Sequence, residues 1–452
     1  MGDATTLLFG LEGFRVVSVS CEHEHDEKHD DVRQVVVEGV EDEQACPDCG
    51  ALSGAVHGRK LRPVKDLPHG RAPLKLWWDQ RRWACRERAC RRRTFAETSG
   101  QIGAGNRLTL RLREHLERSV STSTRSAADV ARENGVSWWS VNHALVVKAA
   151  SMTPQAPGGV RLLGVDETRA RSVRWLLAEH GWRRTDPWMT SFVDLDPTHP
   201  GGILGLAPGR SGTSVRGWLA LQSSEFRDGI EVVAVDPSAP FAAALREVLP
   251  HATLVVDHWH LHRLANLMVT QVRQRVTQQV HGHRGRASND SWAYRQLLLR
   301  GARHLSDKQW KRLKVLFATD DPTGQLQAAW AAKECLRQLL DALPATDGPL
   351  VTDPRRDPGV HGPALRPYEI RARLRRFYDL AAVADIPELT RLAGTVETWW
   401  PAIEAYLRLR VTNAQTEGYN RKIKQIKRVA CGFRNQASYE RRILLNNAAT
   451  AA

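Results

Sequence analysis

Two close cysteine pairs set the tightest limit on how this chain folds. Cys46-Pro-Asp-Cys49 is followed, after a strand-like interval holding Trp77, Trp78 and Trp83, by Cys85-Arg-Glu-Arg-Ala-Cys90. Zinc takes soft ligands at tetrahedral corners, and each tight pair can supply two of the four. The spacing is that of a zinc knuckle or ribbon, although the second pair is wider than the commonest form. The competing reading is a set of unrelated reduced thiols. Seven cysteines, odd in number and unevenly placed, do not form a disulfide framework and suit a reducing cytoplasm.

The thiols sit in the densest arginine run of the chain: Arg81, Arg82, Arg86, Arg88, Arg91, Arg92 and Arg93. With 65 basic and 50 acidic residues the net charge is +15. A large chain this basic usually meets a polyanion, with nucleic acid the default. The alternative, charge for solubility alone, does not account for the clustering. Arg81, Arg82, Arg91, Arg92 and Arg93 are the candidate phosphate contacts.

Around this module the chain reads as several domains, since 452 residues exceed one ordinary core. Phe14–Ser20 and Val32–Val37 predict a hairpin. The Cys21–Asp31 tract between them, with His23, His25 and His29, is either a metal-binding loop or a solvated turn. Residues 1–100 make the hairpin and zinc domain. Residues 101–152 read as helical. A helix ending at Asn134-Gly135, then Ser137 as the cap of a second helix over Trp138–Lys148, is a helix-turn-helix pattern for the DNA major groove. Ser140, Asn142 and His143 are its candidate contacts. Met152–Gly159 is a linker. No apolar run is long enough to span a membrane and no basic region precedes an apolar stretch at the N-terminus, so neither membrane nor secretion is expected.

From residue 160 the pattern turns to strands. Val160–Asp166, Val173–Ala178 and Met189–Leu195 are strand-like, Thr213–Ser223 helical, Glu231–Asp236 a strand, Pro240–Val248 a helix and Ala252–Asp257 a strand running into a helix from His258. Three strands, helix, strand, helix, strand is the order of a ribonuclease H-like mixed sheet. Asp166 and Asp236 end strands that would be neighbours, and strand ends are where open α/β sheets bind ligands. Residues 153–276 form the first part of this core. Residues 277–405 are an Arg-, Leu- and Ala-rich helical insertion with a surface loop over Pro344–Pro367. Residues 406–452 return to the core.

In that last part Asn413, Glu417, Asn420, Lys424 and Arg428 follow one another at helical spacing and predict one face. Tyr419, Ile423, Ile426 and Ala430 predict the core stripe. The helix is either a solvated basic face or one carboxylate set among groups that hold DNA. Phosphoryl transfer on DNA is served by two Mg²⁺ (or Mn²⁺) ions about 4 Å apart on oxygen ligands. Asp166, Asp236 and Glu417 fit that set. Glu167 alternates to the other strand face. Asp257 is the rival second ligand, or a helix cap. Zinc on Asp257, His258, His260 and His262 is conceivable but badly spaced; His260 and Asn413 more naturally support the site.

Four ordered blocks carry a resemblance. These are Cys46-Pro-Asp-Cys-Gly with Leu61-Arg-Pro-Val-Lys-Asp-Leu-Pro and Arg81–Glu97; Leu163-Gly-Val-Asp-Glu; Asp236-Pro-Ser-Ala-Pro-Phe with Val255-Val-Asp-His-Trp-His; and Thr412-Asn-Ala-Gln-Thr-Glu-Gly-Tyr-Asn-Arg-Lys-Ile-Lys with Ala430-Cys-Gly-Phe-Arg-Asn. The chain resembles the ISL3 family of bacterial insertion-sequence transposases over most of its length. Thr168–Trp175 and the Cys21–Asp31 tract are less typical of it. The resemblance implies a multidomain α/β protein: zinc ribbon, helix-turn-helix, then a ribonuclease H-like core with Asp166, Asp236 and Glu417 as its acidic triad. It implies structural zinc, Mg²⁺, double-stranded DNA (element ends and target) as partner, and a homo-dimer or larger assembly at synapsis. The alternative is an inactive or domesticated relative acting as a DNA-binding regulator.

Overall fold

The computed structural model describes residues 4–22, 32–69, 74–103, 105–123, 125–152, 159–198, 201–341, 343–344, 364–433 and 435–451. The chain separates into two compact units, Met1–Thr153 with Ile426–Thr450, and Pro154–Gln425. Residues 426–450 therefore group with the N-terminal unit, where the sequence reading kept all of 406–452 with the catalytic core.

In the first unit, α1 (Ala4–Phe9) leads into β1 (Phe14–Glu22) and β2 (Val32–Gly39), which pair antiparallel as the expected hairpin. The His23–Asp31 part of its loop lies outside the described residues. Two short strands, β3 (Gln44–Ala45) and β4 (Leu52–Ser53), frame the first cysteine pair. Then β5 (Val56–Val64), β6 (Leu74–Ala84) and β7 (Thr94–Ala96) complete a sheet of order β1-β2-β6-β5, with β7 also on β6. Its apolar side gathers Phe14, Val35, Val37, Val64, Leu76, Trp78 and Ile102. A separate cluster joins Cys46, Cys85 and Cys90 to Trp83 and Phe95.

Helices α2 (Leu110–Ser121), α3 (Ala127–Glu133) and α4 (Trp138–Met152) follow. Each start has the chemistry its sequence offers. Thr109 accepts from Leu112 N–H, Ser126 from Asp129 N–H, and Ser137 Oγ from Ser140 N–H at 3.2 Å. Gly135 takes the left-handed conformation, φ +58°, at the turn between α3 and α4. Leu112, Leu116, Val130, Val141 and Leu145 pack together.

The second unit is built on a sheet of order β12-β11-β8-β13-β14. Here β8 (Leu162–Arg169), β11 (Trp188–Asp194) and β12 (Gly202–Pro208) run antiparallel, while β13 (Val232–Val235) and β14 (Thr253–Val256) continue parallel from β8. Two expectations change. The Val173–Ala178 run is not a sheet strand: β9 (Trp175–Ala178) pairs with β10 (Gly181–Arg184) in a hairpin of its own. The third strand is β12, over a stretch to which the sequence reading assigned no element. A Cβ on Gly205 would run into the Trp218 indole, so glycine is required there for close packing. Helices α5 (Gly212–Ala220), α6 (Ser224–Asp228) and α7 (Ala239–Val248) lie between these strands in sequence. Val165, Phe192, Val233 and Val235 pack against Trp218, Phe241 and Leu245 on one sheet face, with Phe192 stacked on Trp218 at 3.9 Å.

The remaining helices are α8 (His258–His281), α9 (Asp290–Ala293), α10 (Arg295–Leu299), α11 (Asp307–Thr319), α12 (Gln325–Leu340), α13 (Pro367–Ala384) and α14 (Pro387–Leu409). They supply the helical stretch expected over 277–405; most of Pro344–Pro367 lies outside the described residues. Lys333 of α12 donates to the Leu298 carbonyl of α10 at 2.7 Å, and the Arg275–Glu388 ion pair at 2.8 Å joins α8 to α14. The chain ends in α15 (Ala414–Val429) and α16 (Gln436–Ala451). No helix of the described residues is long and apolar enough to cross a membrane.

Candidate functional site

Sheet register explains the acidic cluster. The last parallel pairs are Val165↔Val235 and Val235↔Val256, so Asp166, Asp236 and Asp257 stand next in line on three adjacent strands. Leu163 and Val165 turn to the hydrophobic layer, so Gly164 and Asp166 turn to the opposite face, where α15 lies. A Cβ on Gly164 would collide with Thr416 Oγ1 and lie 3.1 Å from Asn413 Oδ1. Glycine at this position lets the start of α15 sit directly on β8.

The face that α15 buries is polar at its N-terminal end. Asn413, Thr416 and Asn420 are buried, followed by Ile423 and Ile426; Tyr419 and Ala430 are only half-buried. This corrects the expected division of faces. Asn420, expected among the DNA contacts, is turned inward: it donates from Nδ2 to Asp166 Oδ2 at 2.6 Å and accepts from Ser191 Oγ at 3.1 Å. Asn413 donates to the Val165 carbonyl at 3.2 Å and to Asp236 Oδ1 at 3.4 Å. Both amides fix carboxylates. Lys424 and Arg428 are exposed.

Glu417 belongs to a group with Asp257 and His260 whose ligand atoms lie within 4.8 Å of one another. His260 joins this group to its neighbour, with Nε2 2.7 Å from Asp236 Oδ2. Asp257 caps α8 by accepting from Trp259 N–H at 3.2 Å and lies 3.2 Å from His258 Nδ1. The expected triad thus converges in one neighbourhood, and Asp257 and His260 stand inside it. His262 turns away to Asp341 at 3.1 Å and His258 stacks on Tyr406, so the four-ligand zinc set from Asp257 to His262 does not form.

Charge in this cluster is strongly coupled. Burial, then the adjacent Asp236 carboxylate, push the Asp166 carboxyl up to about 7. Burial pulls His260 down, but Asp236 and Asp257 outweigh it and hold the imidazole at about 9. Burial would raise Asp257 too, yet hydrogen bonds from His258 and His260 keep it well below the usual carboxylate range. Glu167, on the alternate face of β8, is still raised by burial and by Asp236. Asp166, Asp236, Asp257 and Glu417 offer the carboxylate oxygens that a hard divalent cation takes, so these residues fit Mg²⁺.

The second centre is the thiolate set. Cys46, Cys49, Cys85 and Cys90 place their sulfurs within 4.8 Å of one another; Cys46–Cys90 is 3.9 Å and Cys49–Cys85 3.7 Å. A zinc tetrahedron with bonds of about 2.3 Å has edges of about 3.8 Å. The set fits a structural zinc ion. The arginine run beside it divides. Arg81 is 5% exposed, donates to Glu97 and to the Gly39 and Glu41 carbonyls, and lies over Trp83 at 4.5 Å. Its expected role as a DNA contact is withdrawn: its guanidinium is consumed inside the ribbon. Arg91, Arg92 and Arg93 are exposed, Arg92 pairing with Asp48 at 2.8 Å, and Arg82 bonds Thr94 Oγ1 at 2.8 Å. On α4, His143 is exposed and Ser140 and Asn142 are half-buried.

A four-thiolate zinc ribbon, together with an oxygen-donor cluster at the strand ends of an α/β sheet, defines a zinc-ribbon protein with a candidate cation centre. A family described as "Transposase" matches residues 163–349 and 363–443. Residues 42–90 match the zinc finger of transposases IS204, IS1001, IS1096 and IS1165. The transposase for insertion sequence element IS1001 of Bordetella parapertussis is 25% identical over 395 residues, 86% of each chain. The chain belongs to the ISL3 family of insertion-sequence transposases.

Proposed function

We propose that this transposase binds the terminal inverted repeats of its element and catalyses metal-dependent strand cleavage and strand transfer. On this reading the strand order of the second unit is a ribonuclease H-like core and α3–α4 a helix-turn-helix. The observation that carries the proposal is the convergence of Asp166 and Asp236, on neighbouring parallel strands, with Glu417 on α15. A water attacks the phosphorus at the element end, the bond to the 3′ oxygen breaks, and that oxygen leaves with a proton as a free 3′-hydroxyl. This hydroxyl then gives up its proton and attacks a phosphodiester of the target, whose bond to its own 3′ oxygen breaks, so that the target's 3′ oxygen leaves with a proton as a free hydroxyl. When bound, two divalent cations would supply the charge that activates the attacking oxygen and stabilises the leaving one.

The chain's own residues prepare that site. Asp166, Asp236 and Glu417 would hold the cations, with Asp257 and His260 completing the wall. Asn420 aims Asp166 while Asp166 Oδ1 accepts from Glu167 N–H at 2.7 Å. Asn413 and His260 hold Asp236 from two sides. Exposed Lys424 and Arg428 lie along the DNA backbone; Arg82, Arg91, Arg92, Arg93, Ser140, Asn142 and His143 contact the ends. Synapsis of two ends calls for a homo-dimer or larger assembly.

Purified protein with labelled end DNA and Mg²⁺ tests the proposal. Wild type should nick and join ends. Asp166→Ala or Glu417→Ala should bind the ends without cutting; cutting by either variant would remove the triad assignment. End binding by wild type with no metal-dependent cleavage would leave a DNA-binding regulator instead.

A further inference from the structure

The β9–β10 hairpin, which follows Asp166 in sequence, is not used in the site described above. It stands as a separate two-stranded ribbon beyond the end of the β8–β11 ladder. Ala170 N–H bonds the Pro187 carbonyl at 2.8 Å, and Thr185 N–H bonds the Arg174 carbonyl at 2.7 Å. All eight strand residues are exposed. Opposed residues of an antiparallel pair share a face, and the register sets Trp182 against Leu177 and Arg184 against Trp175. One face therefore presents Trp175, Leu177, Trp182 and Arg184. The tryptophans are 59% and 68% exposed and Leu177 is 72% exposed.

An isolated two-stranded ribbon is marginal in water, and large apolar groups turned to solvent on it do nothing for a core. Arg169, Arg171, Arg174, Arg183 and Arg184 flank them, against Glu179 alone between positions 169 and 184. Aromatic faces interleaved with guanidinium groups are the surface that takes nucleic-acid bases and backbone together. A second copy of this chain fits less well, because a two-fold contact would set these arginines against one another. Trp175 lies nine positions after Asp166, at most about 30 Å of extended chain, or within about one turn of duplex.

We propose that this ribbon is a stacking platform for unpaired DNA bases beside the cleavage position. Trp175 and Trp182 receive the bases and Arg184 the backbone. The proposal rests on the DNA-cleaving reading only for the ribbon's place in the reaction; base stacking can be measured without cleavage.

The test uses the full chain and a fluorescein-labelled oligo(dT) of about 15 nucleotides, near the upper end of common site sizes. The double variant Trp175→Ala/Trp182→Ala should bind oligo(dT) about tenfold or more weakly, with duplex binding unchanged. Trp175→Phe/Trp182→Phe should keep the affinity, since phenylalanine also stacks. Unchanged oligo(dT) affinity in the alanine variant overturns the proposal. So does a wild-type dimer, seen by light scattering, that the alanine variant loses while its oligo(dT) affinity holds. If wild type binds oligo(dT) through the tryptophans but cuts no element ends, the platform stands and the cleavage reading fails. If ends are cut and the alanine variant still binds oligo(dT) normally, the platform fails and the cleavage reading stands.

Discussion

Gly164→Ala is the sharpest test of how the fold positions the acidic cluster. Gly164 lies in the centre of the sheet, paired to Val193 on one side and Ala234 on the other. Strand β8 is hydrogen-bonded along both edges, so it cannot retreat from a new methyl group. The methyl would collide with Thr416 and press on Asn413 at 3.1 Å. The start of α15 must move instead. Overpacking of this kind costs about 1–3 kcal/mol. The catalytic loss should be larger, because a displacement of about 1 Å at a reacting centre can cost on the order of a hundredfold. Glu417 and Asn420 both ride on the displaced helix. Gly205→Ala supplies the comparison, since its methyl meets the Trp218 ring in the same sheet, in the layer on the other face. We expect both variants to lose stability in urea titration. Only Gly164→Ala should lose roughly two orders of magnitude in single-turnover end cleavage per folded molecule. A folded Gly164→Ala protein that cleaves at the wild-type rate would refute the seating of α15 on β8.

Three further outcomes follow from the geometry. Arg81→Ala should destabilise the ribbon by about 3–5 kcal/mol, because it strands the buried Glu97 carboxylate. The exposed Arg91→Ala should shift stability by less than about 0.5 kcal/mol, both read by thermal melts of zinc-loaded protein. In magnesium-free buffer the folded Asp166 carboxyl titrates near 7, above its unfolded value, so its stabilising contribution is present at low pH and lost as pH rises through 7. Melting temperature against pH should therefore fall more steeply in wild type than in Asp166→Asn. Lys424→Ala should reduce the salt slope of end binding by about one phosphate contact, and an unchanged slope would return this exposed lysine to a solvated role.

The strand-end aspartates were legible because buried β-branched runs stop at a carboxylate: Val-Val-Ala-Val before Asp236 and Leu-Val-Val before Asp257. The zinc thiols were legible from spacing alone. Arg81 was not. Along β6 the buried parity runs through Leu76 and Trp78, then switches to Arg81 and Trp83, so strict alternation would have buried Arg82. The inner face of α15 was misread for a different reason. Asn413, Thr416 and Asn420 are polar, and periodicity assigns polar residues outward; here the asparagines are buried in contact with carboxylates, carbonyls and a serine hydroxyl. The strand β12 was hidden by Gly205, which is there for the Trp218 ring rather than for a turn.

Carboxylates at the ends of β8 and β13 and on α15 are proposed to hold jointly the cations that act on DNA. Mn²⁺ binding, followed by electron paramagnetic resonance on zinc-loaded protein with end DNA, tests this without relying on turnover. Bound Mn²⁺ is expected in wild type, with its loss in Asp166→Ala, Asp236→Ala and Glu417→Ala and unchanged zinc content in all of them. Wild-type Mn²⁺ binding in the Asp166→Ala and Glu417→Ala proteins would contradict it.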